Sequence, residues 1–236
     1  MEGFKNYRNI HEMLKETVER CRDRPAYRWF RAPGQTEEIS WNGFYRQVRQ
    51  AARSLIALGV GKEDKVTILS YSCYRWVLCD MAAAAIGAQT VGIYHSLPAP
   101  EVSYIIGHSD SVLVFAEDQM QLDKLLRIRE QIPQVGKVIL FSGVVPEDDW
   151  VIGFDAFLAL GEDVPEESLD QSISAVSPED VAAVVYTSGT TGVPKGAMLT
   201  HDNMTFTAQS VNGSGTIYPD DEVFLFLPLA HVFART

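Results

Sequence analysis

The sequence predicts an α/β fold, multilayered, with a largely parallel sheet flanked by helices. Three observations carry this. Short β-rich runs alternate with helical-period segments from Lys65 to Phe141. Several of these runs are apolar without interruption, as strands covered on both faces must be. Punctuating glycines stand where helices should stop, at Gly59 and Gly87.

Taken in order, Ile10, Leu14 and Val18 repeat at a spacing of four and predict a first helix, followed by a Pro-containing loop. Phe44, Val48, Ala52 and Leu55 predict a second helix ended by Gly59. Lys65–Ser70 reads as a buried strand, Arg75–Ile86 as an Ala-rich buried helix, and Gln89–Ile93 as a short strand. Pro100–Gly107 opens with proline at a first helical position. Ser111–Phe115 is the next strand. Asp118 and Gln121 then resemble a capping box opening a helix with Leu122, Leu125 and Ile132 on its apolar face. Lys137–Phe141 is a strand. Ser142–Val176 is expected as a long connection holding one short helix, Phe154–Leu160. Asp180–Tyr186 and Val223–Leu227 read as two further strands. The expected organisation is a helical segment over 1–60, an α/β layer with an acidic connection over 61–176, and a third segment, 177–236, that begins a second α/β subdomain.

The chain has 236 residues and a formal net charge of −11, from 20 basic and 31 acidic residues. Between Val138 and Pro194 there are eleven acids and no Lys or Arg. Such a run disfavours nucleic acid and anionic surfaces as partners and reads as a solvated acidic face. The most apolar stretch, Trp76 to Ala88, is too short to span a bilayer and contains Asp80. No signal-peptide pattern opens the chain. Three cysteines fit a reduced, cytoplasmic protein rather than a disulfide scaffold, and Cys73 and Cys79 lack metal-ligand spacing. His11-Glu-Met-Leu-Lys15 lacks the second histidine of a zinc protease motif, and no Gly-x-Ser-x-Gly is present.

The chemistry concentrates after Tyr186. Thr187, Ser188, Thr190 and Thr191 supply hydroxyl donors suited to anionic oxygens. Gly189, Gly192 and Gly196 let backbone N–H groups approach a ligand closely. Lys195 adds a positive charge at the far end. A loop at the carboxyl end of a sheet strand is where open α/β folds bind ligands. This combination describes a polyphosphate cradle. It is neither a Walker A loop, since Pro194 and Gly196 flank Lys195, nor a dinucleotide fingerprint, since Gly189 and Gly192 are three apart.

The stretch Thr187 to Gly196 (TSGTTGVPKG) resembles the signature of the acyl-adenylate-forming, or AMP-binding, enzymes. Ser72–Trp76 with Asp80, Gly87–Tyr94, Tyr104-Ile-Ile, Ser109, Glu117-Asp-Gln and Phe226–Phe233 are similar to the long-chain fatty acid–CoA ligase branch, although Ala234 replaces an acid that many such ligases carry. The resemblance implies ATP-dependent activation of a fatty acid to acyl-AMP, then thioester formation with coenzyme A. It implies that Thr187 to Gly192 with Lys195 hold the departing phosphates, that Thr190 helps place Mg2+, and that Lys195 and His231 serve the reaction. ATP, Mg2+, coenzyme A and a fatty acid are the implied small molecules; peripheral membrane contact stays open. The family's later motifs are absent, so an N-terminal portion of the large domain, inactive alone, is expected. A non-catalytic nucleotide-binding or regulatory module of the same fold, and adenylation of an aryl or amino acid, are the alternatives.

Overall fold

The structure is a computed structural model that describes residues 5–32, 34–187, 192–215, 218, 221–231 and 235. Its centre is a seven-stranded sheet in the order β7-β6-β5-β3-β4-β8-β9. The strands are β3 (Lys65–Leu69), β4 (Gln89–Ile93), β5 (Ser111–Ala116), β6 (Lys137–Leu140), β7 (Val151–Gly153), β8 (Val181–Thr187) and β9 (Lys195–Thr200). All neighbours pair in parallel except β8 with β9. The largely parallel sheet expected from the alternating pattern is therefore present.

Strand alternation sends side chains to two apolar layers. On one face Val66, Ile68, Leu113, Phe115 and Ile139 join Leu14 and Val18 of α1 (Ile10–Cys21), Phe44, Val48 and Leu55 of α2 (Trp41–Ala57), and Trp76 and Leu78 of α3 (Tyr74–Ala85). On the other, Leu69, Val91, Val114 and Val138 pack with Val102, Ile105 and Ile106 of α4 (Ala99–His108) and with Leu122, Leu125 and Ile128 of α5 (Gln119–Ile128). This double cover explains the uninterrupted apolar strands.

The predicted stops and caps are in place. Gly59 and Gly87 take φ values of +79° and +75°, which favour glycine. The Asp118 carboxylate accepts the Gln121 backbone N–H at 3.0 Å and caps α5. The Gln121 side chain does not return the bond: it is fully buried, with neither polar atom hydrogen-bonded. The α5 face ends at Ile128; Ile132 is buried, but beyond a further 3-10 turn, Arg129–Gln131.

Four expectations are corrected. The Pro-containing loop inside the supposedly helical 1–60 segment is an antiparallel hairpin, β1 (Pro25–Ala32) with β2 (Gln35–Ser40). Its aromatic residues serve packing, with Tyr27 4.8 Å from Phe44 and Trp29 stacked 4.8 Å from Tyr74. The acidic connection holds β7 and α7 (Glu166–Ser174) as well as the expected α6 (Phe154–Leu160). Nor is that segment simply a solvated face, because Glu166 and Asp170 meet Arg49, Glu166 meets Arg53, and Asp180 meets Lys62 at 2.7 Å. Its acids hold α7 and the approach to β8 against the basic side of the preceding elements. Finally, 223–227 is not a strand: Phe224 and Phe226 are 76% and 72% exposed, and no described strand offers their backbone a ladder.

Candidate functional site

β8 lies one strand in from the sheet edge, between β4 and β9, and pairs Ala183, Val184 and Val185 with Thr90, Val91 and Gly92 of β4. Its carboxyl end, Thr187, is thus held by the apolar core while its side chain is exposed. The chain then turns and returns as β9, with Thr187 opposite Lys195 and Tyr186 opposite Gly196. This register sets the two residues facing each other across the mouth of the 188–194 connection. Lys195, read from sequence as the far end of a loop, is the exposed first residue of a strand. Ser188, Gly189, Thr190 and Thr191, expected as phosphate and metal contacts, lie outside the described residues. Gly192 has φ +84°, which explains its glycine. Gly196 answers a different need, since a Cβ there would stand 2.7 Å from Val184 Cγ1 and 3.3 Å from the Tyr186 ring.

The return strand feeds α8 (His201–Gly213), which the sequence reading missed. A reciprocal capping box opens it: Thr200 Oγ1 accepts the Asn203 N–H, and Asn203 Oδ1 accepts the Thr200 N–H, both at 3.1 Å. The Thr-x-x-Asn spacing carried that signal. His201 is fully buried at its start and its Nδ1 accepts the Ile10 N–H at 3.2 Å, tying β9 and α8 to α1. Burial lowers the His201 pKa to about 4, so the ring is neutral and able to accept.

His231 belongs to a separate segment that reaches the same region of the sheet. Ser72 Oγ donates to the Leu227 carbonyl at 2.6 Å and accepts the Leu229 N–H at 3.0 Å. Leu229 and Ala230 are buried, and the Ala230 Cα lies 2.9 Å from where a Cβ on Gly92 would stand. Gly92 is the register partner of Val185, two residues before Thr187. The exposed His231 follows directly, its N–H bonded to the Pro228 carbonyl at 2.9 Å. Behind this segment Arg235 pairs with the buried Asp80 and lies 5.1 Å over the Trp76 ring. Neither the Ser72 clasp nor the Asp80 pairing was read from the sequence, because each joins residues about 155 apart.

Thr187 and Lys195 offer a hydroxyl and an ammonium, donors matched to phosphate oxygens. The described residues contain no group of three His, Cys, Asp or Glu side chains able to hold a metal. No helix among the described residues is long and apolar enough to cross a membrane.

Comparison with known proteins agrees with the architecture. The AMP-binding enzyme family model matches residues 14–236. The chain is 32% identical over 231 residues to the long-chain-fatty-acid–CoA ligase ACSBG2 of Xenopus laevis, covering 96% of this chain and 31% of that protein. It is 33% identical to ACSBG1 of Bos taurus, a long-chain-fatty-acid–CoA ligase by name, over 97% of this chain and 32% of the other. The chain therefore spans about a third of the length of these relatives. Among solved structures, the inhibitor-bound N-terminal domain of FACL13 from Mycobacterium tuberculosis superposes with a TM-score of 0.79 at 26% identity. That match covers 97% of this chain and 53% of the other.

Proposed function

The chain belongs to the AMP-binding enzyme family, and on that premise we propose that the protein activates a long-chain fatty acid with ATP and transfers the acyl group to coenzyme A. The observation that carries this reading is the β8–β9 hairpin, which sets Thr187 and Lys195 opposite one another at the carboxyl end of a parallel-sheet strand. The names of the similar ligases support the choice of acid and of thiol acceptor.

A carboxylate is a poor electrophile, so a thiol attacks it very slowly. In the proposed first step a fatty carboxylate oxygen attacks the α-phosphorus of ATP, and the bond to the β-phosphate oxygen breaks. Acyl-AMP and pyrophosphate result. In the second, the coenzyme A thiolate attacks the acyl carbon and AMP leaves with the carboxylate oxygen's electron pair. The protein's part in the first step is positioning and charge neutralisation. Lys195 opposes the charge that accumulates on the departing pyrophosphate, and the Thr187 hydroxyl donates to its oxygens. Ser188, Gly189, Thr190, Thr191 and Gly192 complete the cradle in this reading, with Thr190 on the metal side. Mg2+ bound with the nucleotide supplies further neutralisation. His231, presented by the 229–230 anchor beside β4, borders the adenylation pocket. The free state of Cys21, Cys73 and Cys79 supports a cytoplasmic setting.

ATP–pyrophosphate exchange by the complete polypeptide of the gene, with a panel of acids, tests the proposal. Fatty acids should stimulate exchange, and Lys195→Ala should reduce it about 100-fold or more. Wild-type exchange in Lys195→Ala would refute the assignment of the cradle. Stimulation by aryl or amino acids alone would move the substrate class. ATP binding without exchange for any acid would identify a non-catalytic module.

A further inference from the structure

Helix α4 touches both limbs of the turn without contributing a residue to it. Tyr104 and His108 stand four residues apart, hence on one face of α4, with their rings stacked at 5.3 Å. On the outgoing limb the Tyr104 hydroxyl donates to the Pro194 carbonyl at 3.2 Å, immediately before Lys195. On the ingoing limb His108 Nδ1 and the Tyr186 hydroxyl are 2.7 Å apart, immediately before Thr187. The two rings meet edge to face at 5.8 Å. Burial, with Tyr104 and Asp110 adding to it, pushes the Tyr186 pKa up to about 12, so its hydroxyl keeps its proton.

The anchor behind these contacts is part of the core. Val102, Ile105 and Ile106 of α4 are buried in the same apolar layer as Val91 and Val184. The Pro194 carbonyl precedes the first ladder position of β9 and finds its acceptor role filled by Tyr104. Gly196 leaves room for the Tyr186 ring on the ladder, as the 3.3 Å approach of a hypothetical Cβ shows.

We infer that Tyr104 and His108 are positioning residues of the phosphate-holding turn: α4 braces its two limbs and so fixes the separation of Thr187 and Lys195. This rests on the function proposed above. Both side chains act through backbone and side chain of the hairpin, Tyr104 through Pro194 and His108 through Tyr186. The consequence is selective, because a loosened brace weakens the hold on the polyphosphate while leaving the fatty acid and the sheet core untouched.

Tyr104→Phe and Tyr186→Phe each remove one hydroxyl and keep the ring, so folding is preserved. Losing one neutral hydrogen bond of this kind shifts an equilibrium by about five-fold. In ATP–pyrophosphate exchange by the complete polypeptide, each variant should raise the KM for ATP by about that factor, with the KM for the fatty acid unchanged and the Tm lowered by no more than a few degrees. The loss in His108→Ala combined with Tyr186→Phe should fall short of the sum of the two single losses, since both remove the His108–Tyr186 bond. Wild-type KM values for ATP in both Tyr→Phe variants, with exchange lost in Lys195→Ala, would overturn the brace and leave the proposed function standing. Parallel changes in the KM for both substrates, or a Tm falling in step with activity, would also overturn it by showing a general structural role. Absence of exchange in the wild type would instead remove the functional reading, and the brace with it.

Discussion

Around β3 and β5 each strand is enclosed by helices on both faces, whereas at the other side of the sheet β9 presents Lys195 and Met198 to solvent. Phe115, fully buried, lies 5.5 Å from the Phe157 ring and 5.9 Å from that of Phe141. Met198, on the edge strand, is 68% exposed. The first region is fixed by apolar area withdrawn from water. The second is fixed by backbone register, by glycines that remove a steric obstacle, and by a few polar contacts to α4 and α1. A site built this way can carry polar and charged groups that a core could not bury, and its attachment to β4 still holds them in place.

The largest effect that tests this contrast is truncation within the core. Phe115→Ala should cost about 4 kcal/mol in urea unfolding, as large-to-small changes at fully enclosed aromatics do. Met198→Ala on the edge should change stability by less than about 0.5 kcal/mol. Comparable costs for the two would break the comparison.

The same contrast explains what could be read from the chain. The strands at 65–69, 111–116 and 137–140 announce themselves because burial on both faces leaves them mostly apolar, and the buried Thr67 and Ser111 hydroxyls satisfy one another at 2.8 Å. Phe154–Leu160 was legible for the same reason, its Phe154 and Phe157 being core residues. β9 was not legible, because its exposed side chains show neither a continuous nor a cleanly alternating pattern. Val223–Leu227 misled in the opposite direction: β-prone side chains alone make no strand when no described strand pairs with them. The proposed cradle was named from composition and order, Thr187 to Lys195, of which 188–191 lie outside the described residues. Its bracing was not, because Tyr104 and His108 carry no local mark of the partners they meet 90 and 78 residues away.

A smaller effect probes how the edge is moored. Burial holds His201 at about 4 and His11 at about 4, against an ordinary value near 6.5. Asp180 opposes the shift of His201 and Lys62 reinforces it. The unfolded chain therefore binds protons that the folded one refuses. The stabilisation is fully present above about pH 6.5 and is lost as pH falls toward 4. For His201 alone the loss at pH 4 is about 3 kcal/mol. Because its Nδ1 accepts the Ile10 N–H, protonation also removes the bond that joins α8 to α1. Asn can place an acceptor near the Nδ1 position without titrating, so His201→Asn should flatten unfolding free energy against pH over this interval. An unchanged slope would show that the edge is not moored through this histidine.

The smallest expected effect concerns the acidic connection that leads into β8. Arg49 meets Glu166 and Asp170, the latter at 2.9 Å, and Arg53 meets Glu166 at 2.8 Å. Both acids are more than half exposed, so each pair is screened and contributes modestly. Arg49→Ala should cost about 0.5 to 1 kcal/mol at low salt, with the difference from wild type shrinking as salt rises toward 1 M. Arg53 retains a hydrogen bond to the Glu162 carbonyl at 2.8 Å, which salt screens less than it screens an exposed ion pair. Arg53→Ala should therefore keep more of its cost at 1 M salt than Arg49→Ala does. Equal salt dependence in the two variants would mean that the connection is held by charge alone, and that its path toward the cradle owes nothing to directed contacts.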